Sequence, residues 1–195
     1  MTRGVLLACS ALVACASVGD RPPGAQVDAA PRDAPAPCAA ADLELGGCRR
    51  EDGAACTGAL GETRGFAELV EGGEVPIVTG PQGAAMLVFS ARTTGIVAGD
   101  PTDPLAATNP LVELVVSRDG VELALYRGKV GFADDGAGRV VAAGLFVITE
   151  GADLGGLPLR VHGLVVDRAG ARRCGERGFV GGRGGAAAPA RNPTR

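Results

Sequence analysis

The sequence predicts an all-β protein: an immunoglobulin-like antiparallel β-sandwich of about 7–8 strands, between a disordered N-terminal tether and a disordered C-terminal tail. Three observations carry the prediction. From Phe66 to Val180 the apolar residues fall in short runs between turn signals, and no segment sustains a 3.6-residue stripe. One pair of runs alternates apolar and polar residues on either side of an Asp-Gly turn. Of the 195 residues 46% are hydrophobic but only 3% aromatic, with five Phe, one Tyr and no Trp, so the core must be aliphatic. The missing Trp, and three Cys placed before the first expected strand, limit the immunoglobulin likeness to architecture.

The expected strands are Glu74–Val78, Ala85–Arg92, Leu111–Arg118, Val121–Arg127, Lys129–Phe132, Arg139–Thr149, Leu157–Asp167 and Ala171–Phe179. In the hairpin, Arg118-Asp119-Gly120 turns the chain because Asp and Gly both tolerate φ > 0. Period two then places Val112, Leu114, Val116, Val121, Leu123 and Leu125 on one buried face, with Glu113 and Glu122 on the wet one. Asp134-Asp135-Gly136-Ala137-Gly138 leads into Val140–Ile148, whose weak alternation predicts burial on both faces. Asp167-Arg168-Ala169-Gly170 turns into the last strand, which carries Cys174.

Ahead of the domain, Arg3 precedes a short apolar run, Gly4 to Ala14, which is far below the ~20 residues that span a bilayer. The run reads as a signal peptide. At its end Leu12-Val13-Ala14-Cys15 resembles the lipobox of bacterial lipoproteins, which implies cleavage before Cys15 and acylation of its thiol. Leu6-Leu7-Ala8-Cys9 fits the same pattern with too little sequence before it. Two or three acyl chains hold a protein at a membrane far more firmly than one, at ~0.8 kcal/mol per buried CH₂. Ala16 stands where an Asp would resemble an inner-membrane retention signal, which favours the outer membrane, facing the periplasm or the cell surface.

Cys38, Cys48, Cys56 and Cys174 remain, an even set that in an exported chain reads as two disulfides. Of three connectivities, each pairs Cys174 with a member of the N-terminal trio and closes a loop of roughly 120–140 residues, a clasp of about 5 kcal/mol on chain-entropy grounds. The rival reading, three thiolate metal ligands, lacks a CxxC pair and a nearby His. The organisation expected is a signal peptide over 1–14, lipidated Cys15 with a Pro/Ala-rich tether over 15–41, a Cys-containing segment over 42–65, the sandwich over 66–180 and a tail over 181–195. Pro22, Pro23, Pro31, Pro35 and Pro37 mark the tether.

Gly65 to Gly83, and Gly80-Pro81-Gln82-Gly83 above all, resemble the start of the domain in predicted lipoproteins of GC-rich Gram-negative bacteria. There an apolar strand enters Gly-Pro-Gln-Gly-Gly, then one further residue, His and a strand of an all-β domain. The resemblance implies an envelope β-sandwich. This chain departs from it, with Ala84 for the second Gly and Met86 at the His position. Physically, Gly80–Gly83 is a turn in which Pro81 fixes φ.

A single His and a net charge of −3 exclude most triad chemistry and any strong electrostatic case for nucleic acid. All but Lys129 of the 19 basic residues are Arg, a coding bias more than an anion site. His162 should sit half-exposed on its strand with Arg160, Leu164 and Val166. Asp100, Asp103, Asp134, Asp135 and Asp153 invite a calcium reading but stand beside Pro and Gly as turn formers do. Ser90, Ser117 and Thr149 have no nucleophile-elbow context, and no phosphate-binding Gly loop is present. The sequence therefore predicts a non-enzymatic, lipid-anchored envelope protein that holds no cofactor and meets the membrane through Cys15 and an envelope protein through its β-domain. The alternative is a small-ligand or calcium-binding envelope module.

Overall fold

The computed structural model describes residues 42–56, 64–80, 83–149 and 153–182. Cys15, Cys38, the signal peptide, the tether and the tail from 183 onward lie outside the described residues. Within them the fold is all-β: two packed sheets built from eleven strands. These are β1 (Leu43–Arg50), β2 (Arg64–Glu68), β3 (Gly73–Val75), β4 (Ile77–Thr79), β5 (Ala85–Thr93), β6 (Leu111–Arg118), β7 (Val121–Lys129), β8 (Ala133–Asp134), β9 (Val140–Ile148), β10 (Pro158–Val166) and β11 (Arg172–Gly181).

The first sheet runs β2-β1-β5-β9-β8, with β4 also on β5; the second runs β3-β11-β10-β6-β7. Every pair is antiparallel except β3 with β11. Between the sheets lies one aliphatic core. Leu45, Leu87, Phe89, Leu145 and Val147 from the first sheet meet Val112, Leu114, Val116, Val161 and Phe179 from the second. Phe89 and Phe179 join the layers edge to face, centroids 5.3 Å apart. At roughly 1.5–3 kcal/mol for each large side chain removed from water, this layer dominates the stability.

Four sequence expectations are corrected. The 42–65 segment is not separate from the sandwich, because β1 lies between β2 and β5 in the first sheet and brings Cys48 inside the domain. The alternation Leu43-Glu44-Leu45 is interrupted by Gly46-Gly47, which hides the strand. Gly46 is required there, since a Cβ would stand 2.6 Å from the Phe66 ring. The expected strand Glu74–Val78 divides at Pro76 into β3 and β4, which belong to different sheets, so the residue without an N–H marks the sheet switch. Lys129–Phe132 is not a strand: β7 continues to Lys129, and Val130 and Phe132 then donate to Pro110 and Ala98 of the long β5–β6 loop.

The fourth correction concerns the hairpin. The turn forms as expected, with Asp119 at φ 51° and Gly120 at φ 80°. Val112, Leu114 and Val116 are fully buried. On β7, however, Ser117 pairs with Glu122 and Val116 with Ala124, which leaves Leu123 as an extra residue. This bulge inverts the parity of the remaining strand. Ala124 and Tyr126 face the core side opposite Val116 and Leu114, while Leu125 joins Val115 and Glu113 outside. Val121 and Leu125 are exposed instead of buried. A bulge at Gly144 (φ +77°) acts likewise on β9, whose inner side chains are Ala142, Leu145 and Val147. Its weak alternation thus records a parity change, and Ile148 is half-exposed.

Candidate functional site

The most articulated surface is the outer face of the first sheet. Cys48 and Cys56 form a disulfide between β1 and the bend after it, with Cα atoms 5.5 Å apart. Both are buried with Val88 in a small apolar cluster that Val78, Ala143 and Phe146 complete. Beside it opens a groove of about 570 Å³ lined by Arg64, Phe66, Arg92, Asp135 and Arg139 among others. β2 and β5 present the first three, and the β8–β9 turn the other two.

Each cation of the groove is engaged. The Arg92 guanidinium lies 4.0 Å over the Phe66 ring, and its Nε donates to Glu44 at 3.0 Å. Arg64 lies 4.8 Å over Phe146. Arg139 donates from Nε to Asp135 at 2.9 Å and lies 3.9 Å from Glu44. The Asp135 carboxyl is held below its ordinary range first by the Ala137 N–H, then by the N–H and guanidinium of Arg139. The groove thus offers flat aromatic and guanidinium faces with charges balanced internally. That arrangement suits the stacking of a planar group better than the capture of a lone anion.

The residues singled out from sequence are placed as follows. Cys174 is disulfide-bonded, to a partner outside the described residues. The Cys48–Cys56 bond removes two thiols from the thiolate-ligand reading. His162 is half-buried on β10, between Val115 of β6 and Glu176 of β11 in register, beside the Arg160–Glu176 ion pair. The five acidic turn residues do not converge. Asp100 accepts from Thr102, Asp103 from Leu105 N–H, Asp134 from Gly136 N–H, Asp135 from Ala137 N–H and Asp153 from Gly155 N–H. Among the described residues no three His, Cys, Asp or Glu side chains gather at a metal-binding distance. Ser90 and Thr149 are buried and donate to the carbonyls of Gly65 and Ala85. Gly80 and Gly83 form the β4–β5 turn, Gly80 N–H donating to Ala84 at 2.8 Å. Met86 is buried beneath it, against Gly80.

Two features escaped the sequence reading. The groove gathers Arg64 and Phe66 of β2, Arg92 of β5 and Arg139 of the β8–β9 turn, with Glu44 of β1 pairing to its arginines. Asp167 is the second. Its carboxylate accepts from Ala169 and Ala171 in its own turn and, at 2.7 Å, from Val97 on the β5–β6 loop. No protein-family model matches the chain, and a search of curated proteins finds no significant match.

Proposed function

We propose that the chain is a lipid-anchored envelope protein whose β-sandwich is a non-enzymatic interaction module. The observation that carries the reading is the disulfide of Cys48 with Cys56, together with the bonded state of Cys174, because such bonds form and persist in oxidising compartments. That agrees with export under the signal-like segment ending at Ala14-Cys15. The anchor is the acylated Cys15 thiol, in the outer membrane, and the Pro-rich stretch to about Ala41 lifts the sandwich from the lipid. The lipoprotein likeness of Gly80–Gly83 supports the same place. Ser90, Thr149 and the five acidic turn residues hydrogen-bond to nearby backbone groups, which favours binding over catalysis.

Cys15→Ser tests the anchor. The variant leaves the membrane fraction and loses metabolic palmitate labelling. Retention of label with Cys9 intact refutes Cys15 as the site. The groove beside Phe66 favours a second reading, a small-ligand module. Equilibrium dialysis that shows bound calcium would instead support the metal form of that alternative.

A further inference from the structure

We propose that the β7 flank is a self-association surface, in which β7 pairs antiparallel with β7 of a second copy about a two-fold axis through Leu125. The proposal rests on the interaction reading above and names its partner; the anchor is read by a separate assay, so either fails without the other. β7 ends its sheet, and β8 covers only Val140 and Val141 of neighbouring β9. Among the described residues two strand edges, one from each sheet, therefore lie open on one side of the sandwich. Between them is a groove of about 570 Å³ lined by Leu123, Leu125, Tyr126, Phe146 and Ile148. Val121, Leu125 and Ile148, exposed by 62%, 38% and 50%, are three of the large apolar side chains left in solvent, and all lie on this flank. An edge with free N–H and C=O groups beside apolar surface is a template for a further strand.

Charge selects a second copy as that strand. Beyond the bulge, the outer face of β7 carries Leu125, Arg127 and Lys129; before it stands Glu122. When the extra residue Leu123 is counted, a two-fold axis at Leu125 sets Leu125 against its own copy and Arg127 opposite Glu122 of the second chain. Symmetry makes the same pair twice. Without the bulge Arg127 would meet Leu123, so the irregularity that inverts the parity of β7 also brings opposite charges into register. Among the described residues Arg127 pairs within its own chain with Glu113 across the sheet face, at 3.6 Å.

The test is sedimentation of the full chain in detergent over a concentration series, with Glu122→Arg, Arg127→Glu and the double exchange, each checked by thermal melting for an intact fold. The wild type dimerises. Each single reversal sets like charges opposite one another twice and raises the dimer Kd about tenfold, and the double exchange restores it. Leu125→Cys gives a covalent dimer on oxidation, whereas Val115→Cys, one strand further in, does not. A wild type that stays monomeric overturns the proposal. So does a dimer indifferent to all three charge variants, or one with no cross-link at position 125, since it would use another surface.

Discussion

The parity change on β7 makes a sharp claim about which side chains carry the fold. Leu114 is fully buried, and its tip converges with those of Leu43 and Leu45 over Gly163. Truncation to Ala should cost about 2–5 kcal/mol, the transfer and cavity penalties together. At roughly 4 °C of Tm for each kcal/mol in a domain of this size, that is a fall of about 10 °C or more. Leu114→Asp adds an unpaired carboxylate in the core, a further several kcal/mol against a total of about 5–15, so it should not fold. Val115→Asp, on the outer face between His162 and Leu125, should cost within about 1 kcal/mol. On β7 the order depends on the bulge. Ala124→Asp, at a position 7% exposed, should destabilise strongly, and Leu125→Asp, at 38%, only slightly. The assay is thermal melting of the four Asp variants beside Leu114→Ala. Equal tolerance at 114 and 115 would refute the hairpin, and a costly Leu125→Asp beside a harmless Ala124→Asp would refute the bulge.

The remaining predictions concern the cross-links, the acid limb and a close strand approach. Thiol alkylation of the exported protein without reductant should leave Cys48, Cys56 and Cys174 unmodified, and on the proposed reading, in which Cys9 leaves with the signal peptide and Cys15 is acylated, non-reduced peptide mapping should join Cys174 to Cys38; a Cys48→Ala/Cys56→Ala variant should lose about 2–3 kcal/mol, the value for so short a loop. Asp167 is held below its ordinary range first by the Val97 N–H and then by those of its own turn, so its contribution is complete above the unfolded value near 3.8 and disappears as pH falls through the lower folded one. Melting should thus be level at neutral pH and drop below about pH 4, and Asp167→Asn should lower the neutral Tm and flatten that acid limb; a variant with the wild-type profile would show that Asp167 is not the linkage. Gly46→Val should destabilise by about 1–3 kcal/mol, because the Phe66 ring fills the space of its side chain, and an unchanged Tm would mean β2 does not close on β1.

Where local chemistry decides structure, residues in the sequence were sufficient. Asp119-Gly120 specifies a tight turn because both adopt positive φ, and β6 before it is bounded as the alternation predicts, while β7 after it starts where expected and runs past Arg127 to Lys129. His162 is half-exposed between Val161 and Gly163 for the same period-two reason. Asp100, Asp134 and Asp135 act within their own turns, an interaction that spans two to four residues and so needs no knowledge of the fold. The all-β class follows from the sum of such local signals.

Only the tertiary structure decided what depends on neighbours distant in sequence. β1 is a central strand because Phe66 and Ser90 come to lie on either side of Gly46-Gly47-Cys48, and the two glycines look like a loop until that approach is seen. The bulges at Leu123 and Gly144 reverse a face without changing composition, since one unpaired residue is invisible to a period-two count. The groove on the first sheet exists because Arg64, Phe66, Arg92 and Arg139, the last two paired with Glu44, converge from strands and a turn remote in sequence, and Asp167 reaches Val97 across seventy residues. Alternation tells each strand which side chains it can bury; pairing and packing determine which of them it does.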